Sequence, residues 1–407
     1  IPQLCRFCKR KLRIIKKSAF KGTEINELLL PGSIETLEAG CFQNMNELNK
    51  VDFDRPNDHF KILDNKIILG QSQSKYNDEY DVLFFATCNI KDVKIPSHVK
   101  EISSYAFSGC SKLKLLHFES DSKLNKICYE SFSYSSLAEI CFPKHVKIID
   151  DFSFLNCINL KKITFSDDSE LQVIGEKAFY ETAIKSVKVP SSVIEIKDNA
   201  FLMCSSLESF EFLDIQNSQI QCINKGMLSG SSIQSIAIPN SVKRIEEAAF
   251  YNCRKLERFD ISDDSQLTKM DYIAFSECPI KKFHIPPLVR KFKESTLSTE
   301  TTEISVSPKN KYLSVIDSTM IVGKSDMNND KFDTILYALR NIEKAIIPSY
   351  IKKIDNKAFR YCKKLEKIEF APNSKLEIIG KYAFESSGLT NISIPDHVKI
   401  IDDNAFC

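Results

Sequence analysis

At 407 residues the chain is longer than a single hydrophobic core sustains, so it is either several domains or a repeat array. Its 43% hydrophobic and 27% charged residues exclude global disorder, and 56 basic against 54 acidic side chains, a net charge of +2, remove the electrostatic ground for nucleic-acid binding. No apolar run approaches the roughly 18 residues that cross a bilayer, and Val82–Ala86 is typical of the runs present.

The chain opens at Ile1 with a basic segment holding Cys5-x-x-Cys8. This lone CxxC has no downstream partner at metal-site spacing and reads as an N-terminal oddity, not a metal or redox centre. A small residue followed by an apolar one then recurs: weakly at Ala19-Phe20 and Cys41-Phe42, and clearly at Ala106-Phe107, Ser131-Phe132, Ser153-Phe154, Ala178-Phe179 and Ala200-Phe201. In that last run the intervals between phenylalanines alternate as 25, 22, 25 and 22. Weak copies at Met227-Leu228 and Thr296-Leu297 accompany Ala249-Phe250, Ala274-Phe275, Ala358-Phe359, Ala383-Phe384 and Ala405-Phe406, for about fourteen coils in all. The chain stops at Cys407 inside this motif, so we expect part of a longer protein or an unusually short cap.

Other apolar positions keep register with the pair. Leu113/Leu116/Phe118, Leu160/Ile163/Phe165 and Leu365/Ile368/Phe370 read apolar-x-x-apolar-x-apolar, whose last two members alternate as one face of a short strand. In alternate coils a proline follows, at Pro96, Pro143, Pro190, Pro239 and Pro395, where the missing N–H stops the strand and turns the chain. A second apolar pair comes next (Val99/Ile102, Val146/Ile149, Val193/Ile196, Val242/Ile245, Val398/Ile401). Each coil is therefore expected to run strand, turn, second extended piece, then a short helical turn carrying Phe. One such unit cannot bury its apolar face alone, so stacking is required, and fourteen coils at about 4.8 Å would make a curved rod on the order of 65 Å long.

Two stretches break the rhythm and resemble each other. Asp64, Ile67 and Gly70 match Asp317, Met320 and Gly323, and Asp81, Leu83 and Ala86 match Asp333, Ile335 and Ala338. Each holds two apolar runs around a polar loop with turn formers (Asn77-Asp78; Asn328-Asn329-Asp330), the mark of an embedded β-hairpin. The expected organisation is N-terminal repeats over 1–51, a hairpin insert over 52–92, a central array over 93–302, a second insert over 303–342 and C-terminal repeats over 343–407, all one continuous solenoid.

Leu137–Cys157 (LAEICFPKHVKIIDDFSFLNC) and Ile233–Cys253 (IQSIAIPNSVKRIEEAAFYNC) resemble the BspA-like, or Treponema-type, leucine-rich repeat, and the likeness covers nearly the whole chain. The resemblance implies an α/β repeat solenoid, a curved right-handed coil with a parallel β-sheet on its concave side. It also implies a surface or secreted protein that binds a protein or an acidic glycan, as adhesin or antigen. The rival reading is an intracellular scaffold or regulator.

The chemistry-bearing residues fit a repeat better than a reaction centre. Six of the fourteen cysteines (Cys110, Cys157, Cys204, Cys253, Cys278, Cys362) lie three residues after the Phe, as a ladder of buried thiols. Most successive members are two coils, about 10 Å, apart and too distant to bridge; only Cys253 and Cys278 lie on adjacent coils. His98, His145 and His397 repeat one turn position and form no metal pair. No HExxH, Walker loop, GxGxxG or GxSxG is present, so we expect no catalytic residue, metal or cofactor.

Two exposed columns are candidate binding surfaces. The outward strand position carries Lys94, His117, Cys141, Thr164, Lys188, Glu211, Ala237, Asp260, His284 and Glu369. The outward pair of the second apolar segment is basic, with Lys243-Arg244, Arg290-Lys291 and Lys352-Lys353, plus Lys147 and Lys399, and would suit an acidic partner. One glycosylation sequon, Asn391-Ile392-Ser393, is placed in a predicted strand.

Overall fold

The computed structural model describes residues 12–72, 80–271, 273–292, 297, 299–326 and 331–407. The CxxC at Cys5 and Cys8, and the loop residues Asn77, Asp78, Asn328, Asn329 and Asp330, lie outside them. The chain divides into two units, Ile1–Ser206 and Leu207–Cys407, each a stack of coils.

In the first unit the expected strand motif forms four-residue strands. Asp92–Ile95 pairs in parallel with Leu115–Phe118, and Glu139–Phe142 with Lys162–Phe165. Alternation holds: Val93, Ile95, Leu116, Ile140 and Phe142 are buried, while Lys94, His117 and Cys141 are exposed. The second unit repeats this, with Ser235–Ala237 on Arg258–Asp260, Lys282–Ile285 on Glu303–Val306 and Lys344–Ile347 on Lys367–Phe370.

These strands associate in couples and not as one broad sheet. The continuous ladder lies instead at the second apolar segment. In the first unit Val82–Ala86, Glu101–Ile102, Lys126–Ile127, Ile148–Ile149, Val173–Ile174 and Glu195–Ile196 pair in parallel, one after another. Proline accounts for part of the difference: Pro96 lacks the N–H to extend its strand, and its carbonyl accepts the Val99 N–H at 3.1 Å to close a turn. Pro143 and Pro190 do the same with Val146 and Val193.

The helical turn expected at the Ala-Phe pair is not there, and among the described residues no helix occurs. The backbone amides show why. The amides of Ala106, Ser108 and Cys110 donate three residues back, to Ser103, Tyr105 and Phe107. The alternate amides of Tyr105, Phe107 and Gly109 donate to Tyr129, Ser131 and Ser133 of the next coil at 3.2, 2.7 and 2.8 Å. An α-helix would spend all of these amides inside its own coil. Here alternate amides point along the stack, which requires left-handed backbone two residues before and after the phenylalanine. Tyr105 has φ 66° and Gly109 74°; Phe152 and Asn156 have 59° and 55°; even Ile273 has 49°. Each such non-glycine residue costs about 1–2 kcal/mol, offset by buried amides that would otherwise lack partners.

This turn stacks the phenylalanines. Phe107, Phe132, Phe154, Phe179 and Phe201 lie at centroid spacings of 4.9, 5.0, 5.2 and 5.1 Å, all within 11° of parallel. In the second unit Phe250 stacks on Phe275 at 5.2 Å and Phe359 on Phe384 at 4.9 Å.

The two interruptions are antiparallel, as their paired apolar runs require. Phe60–Leu63 pairs with Ile67–Gly70 and that strand with Val82–Ala86; Leu313–Ile316, Met320–Gly323 and Thr334–Ala338 repeat the arrangement. Tight turns with left-handed residues, Asp64-Asn65 (50°, 55°) and Asp317-Ser318 (48°, 55°), join the first strands of each set, closed by the Lys66 N–H donating to Leu63 O and the Thr319 N–H to Ile316 O. The matched aspartates do the same work. Ser72 donates its N–H and hydroxyl to Asp81 at 2.8 and 3.0 Å, and Ser325 donates both to Asp333 at 2.8 Å. Lys100 and Lys352 add ammonium groups at 3.2 and 3.8 Å.

Phe179, fully buried between two parallel rings, should on truncation to Ala lower stability by about 3–5 kcal/mol in denaturant melts, and an unchanged midpoint would refute the stack. Burial pushes the Asp81 and Asp333 carboxyls up, but the serine donors and lysines outweigh it and hold both below the ordinary value. A lowered folded-state value gives stability that is complete above the unfolded pKa of about 3.9 and is lost as pH falls through the folded value. The Asp81→Asn/Asp333→Asn chain should therefore be weaker near neutrality and show a shallower loss of urea midpoint on acidification; parallel pH profiles would contradict this.

Candidate binding surface

The strand couples bring the outward column into register. In the first unit Lys94 faces His117 and Cys141 faces Thr164, with Lys188 exposed further along. In the second unit Ala237 faces Asp260, His284 faces Ser305 and Ile346 faces Glu369, with Glu211 exposed. Several charges are tied locally: Lys94 to Glu119 at 3.2 Å, Asp260 to Arg258 at 2.9 Å, and Glu369 to Lys367. Such exposed pairs contribute little stability and leave the column mixed in charge.

His284 is the most constrained member. One ring nitrogen lies 2.9 Å from Asp263 Oδ1 and the other 2.9 Å from Ser305 Oγ. These are the residue types of an acyl-transfer triad, but the trio sits partly exposed on the open strand face, and its contacts fix the imidazole across three coils. Sequence spacing singled out His284 alone. Asp263 and Ser305 lie 21 residues to either side, a relation visible only once the coil length at this point is known.

The second ladder carries the basic positions. Lys243 and Arg244 are exposed, Arg244 pairs in register with Lys269 of the next coil, and Arg290 and Lys291 occupy the same repeat position one coil further. Lys269 escaped the sequence reading because its coil lacks the proline, although Leu267-x-x-Met270 repeats the Val-x-x-Ile spacing. Counter-charges differ along the ridge. Lys353 and Lys352 contact Asp355 and the buried Asp333 at 2.7 and 3.8 Å, Lys147 contacts Glu170 at 3.7 Å and Lys399 contacts Glu377 at 2.9 Å. Arg244 has a looser contact with Glu246 at 3.5 Å, and the Arg290 guanidinium lies 4.9 Å over the Tyr312 ring.

The thiol ladder is buried and its members donate to the preceding coil's backbone. Cys157 Sγ reaches Phe132 O at 3.0 Å, Cys204 reaches Phe179 O at 3.0 Å and Cys253 reaches Leu228 O at 3.2 Å. Burial pushes the Cys157 and Cys204 thiols up to about 12 and about 11. His145 contacts Glu170 across coils at 3.0 Å. Among the described residues no three His, Cys, Asp or Glu side chains gather as a metal set. No helix of the described residues is long and apolar enough to cross a membrane.

An aromatic edge was missed altogether. Tyr105, Tyr129 and Phe152 follow one another over three coils at 5.6 and 5.5 Å, and Lys177 lies 5.4 Å over Phe152. A depression of about 440 Å³ beside it is lined by Lys17, Glu38, Ala39, Ser104, Tyr105 and Tyr129. Gly40 makes room for the Tyr105 ring, since a Cβ there would lie 2.8 Å from it. The two tyrosines escape a spacing search because Tyr105 precedes its phenylalanine by two residues and Tyr129 by three. The sequon also departs from expectation: Asn391–Ser393 forms no strand, and a cleft of about 690 Å³ separates it from Lys367–Phe370, so no ladder bonds form there.

A family model described as a BspA type leucine rich repeat region matches residues 7–68, 81–208, 172–305 and 331–407. A leucine-rich repeat protein from Bacteroides ovatus is similar at 23% identity and a TM-score of 0.58, over 84% of each chain. A leucine rich cell surface protein from Faecalibacterium prausnitzii is 19% identical with a TM-score of 0.41, covering 88% of this chain and 83% of that one. The pneumococcal vaccine antigen PcpA is 15% identical with a TM-score of 0.38, covering 95% and 86%. No curated protein matches the chain.

Proposed function

This chain belongs to the BspA-type leucine-rich-repeat family, and from that membership we propose that it is a non-enzymatic binding protein of the cell surface, an adhesin or antigen. Its partner is an acidic glycan or an acidic protein surface, taken on the basic ridge of the second unit. The observation that carries this reading is the register of Arg244 with Lys269, between Lys243 on one side and Arg290 and Lys291 on the next coil. Consecutive coils thus present cations at a spacing of about 5 Å, matched to closely spaced anions. Lys352 and Lys353, already tied to Asp333 and Asp355, contribute less, and Lys269, held by Asp271 at 2.6 Å, supplies position more than free charge. The outward column of Lys94, His117, Lys188, Glu211, Asp260, His284 and Glu369 supplies secondary polar contacts. Its mixed charge favours selectivity over affinity.

Neutralising Lys243, Arg244, Lys269, Arg290 and Lys291 together should shift elution from a heparin column to clearly lower salt, while neutralising Lys352 and Lys353 shifts it less. Equal retention of both variants and the parent would discard the ridge.

A second reading, an intracellular scaffold, draws support from the cysteines: every one of the described residues' twelve is free. Labelling intact source cells with a membrane-impermeant amine reagent separates the two. Surface exposure predicts strong modification of this chain before lysis, and protection until lysis selects the scaffold.

A further inference from the structure

We propose that the chain carries two latent disulfide sites, Cys88–Cys110 and Cys253–Cys278, which close when it folds in an oxidising compartment. The thiol column elsewhere keeps sulfurs apart by alternation. Cys157 Sγ lies 3.4 Å from Ser135 Oγ, and Cys204 Sγ lies 3.3 Å from Thr182 Oγ1. In each of those places the neighbouring coil offers a hydroxyl, so no sulfur partner is at hand.

The alternation fails twice, once in each unit. Cys88, just past the strand Val82–Ala86, lies with its sulfur 3.6 Å from that of Cys110, and both side chains are buried. Backbone bonds hold the two segments together, with the Ala86 N–H donating to Ala106 O at 2.9 Å. Cys253 and Cys278 occupy the same position on adjacent coils, where Cys253 Sγ reaches Leu228 O at 3.2 Å and Cys278 Sγ reaches Phe250 O at 2.9 Å. Three residues earlier, Phe250 and Phe275 stack at 5.2 Å, and the Asn252 N–H donates to Ser276 O at 2.9 Å.

Coils about 4.8 Å apart fall inside the Cα separation of about 4.4–6.8 Å that a disulfide needs. The sulfurs need only close to about 2.05 Å, by rotation of the side chains on a fixed backbone. Little is lost when the thiols leave their backbone acceptors. Leu228 O and Phe250 O, which accept from Cys253 and Cys278, also accept the amides of Ser231 and Cys253 at 3.1 and 3.2 Å.

The step is thiol–disulfide exchange with a small-molecule disulfide such as oxidised glutathione. A cysteine thiolate attacks one sulfur of the oxidant, forming a mixed disulfide and expelling one small thiolate. The second cysteine, deprotonated, then attacks the protein sulfur and expels the other. The two protein thiols are oxidised, the small disulfide is reduced to two thiols, and the protons lost by the cysteines balance those thiolates. Burial closes this route in the finished fold, so exchange belongs to the folding stage, when the sulfurs are reachable.

The first bond would staple the antiparallel insert to the first coil of the array. The second would join the two coils that present Arg244 and Lys269. The proposal stands apart from the binding reading, since thiol mapping involves no ligand and heparin retention involves no disulfide.

The full chain, reduced and unfolded, is refolded in parallel with a reduced/oxidised glutathione mixture and with reductant alone, then digested without reduction and mapped by mass spectrometry. We expect cross-linked peptides joining Cys88 to Cys110 and Cys253 to Cys278, while Cys157, Cys204 and Cys362 remain alkylatable once unfolded. The oxidised chain should melt several degrees above the reduced one, with a smaller rise in Cys88→Ser and none in Cys88→Ser/Cys278→Ser. Where refolding is poor, the same map is made on chain secreted from an oxidising compartment. A cooperatively melting chain in which all four of these cysteines stay free overturns the proposal, as does cross-linking spread indiscriminately over Cys157 and Cys204.

Discussion

The structure depends on a problem of backbone satisfaction at the phenylalanine turn. A coil that buries Phe179 or Phe250 completely must bury the amides beside it, and a buried amide without a partner costs more than a modest conformational strain. Sending alternate amides inward to the turn and onward to the next coil solves this for coil after coil, as at Phe107, Phe132, Phe154 and Phe179. The same alternation fixes the pitch of the stack, because each onward bond ties neighbouring turns at about 2.7–3.2 Å, as between Phe107 and Ser131. Ring stacking and the buried second ladder follow from that pitch. The registers that line up Arg244 with Lys269 and His284 with Ser305 follow from it too.

The column three residues past the phenylalanine belongs to the same solution. Carbonyls such as Phe132 O and Leu228 O accept a turn amide and have a second lone pair to satisfy in a dry interior. A thiol is small and apolar enough to pack there and still donates weakly, which an alanine could not do. Serine or threonine in the alternate coil, as at Ser135 and Thr182, meets the thiol from the other side. Cysteine abundance in this chain is thus a packing choice first.

Much of this architecture was legible in the sequence. Ala-Phe pairs, the apolar-x-x-apolar-x-apolar motif and the proline all report burial or a missing donor, and burial is what spacing encodes. The inserts were legible because Asp64 and Asp81 recur as Asp317 and Asp333: Asp81 and Asp333 keep one hydrogen-bonding role, and Asp64 and Asp317 keep one left-handed turn position. The helical turn was misread because left-handed backbone usually announces itself through glycine or asparagine, and here Tyr105, Phe152, Lys177 and Ile273 adopt it. The pairing of the four-residue strands in couples was not legible, because a strand motif reports which side chains are buried and not which neighbour accepts its amides. Surface neighbourhoods were the least legible part. Tyr129 beside Tyr105, or Asp263 beside His284, depends on coil lengths that alternate, so a fixed spacing cannot find them.

The coupling of the four-residue strands has a geometric consequence. Within a couple, Glu139–Phe142 and Lys162–Phe165 share four residues of ladder, so their outward side chains keep a fixed separation. Between that couple and the next strand of the first unit, Ser186–Val189, the Lys185 N–H donates to Lys161 O at 3.2 Å just ahead of the strand. The strand face of the first unit is accordingly laddered in couples, while its second ladder runs unbroken from Val82–Ala86 to Glu195–Ile196. Inside a couple the outward side chains are spaced by a shared ladder, and between couples by the packing of the turns.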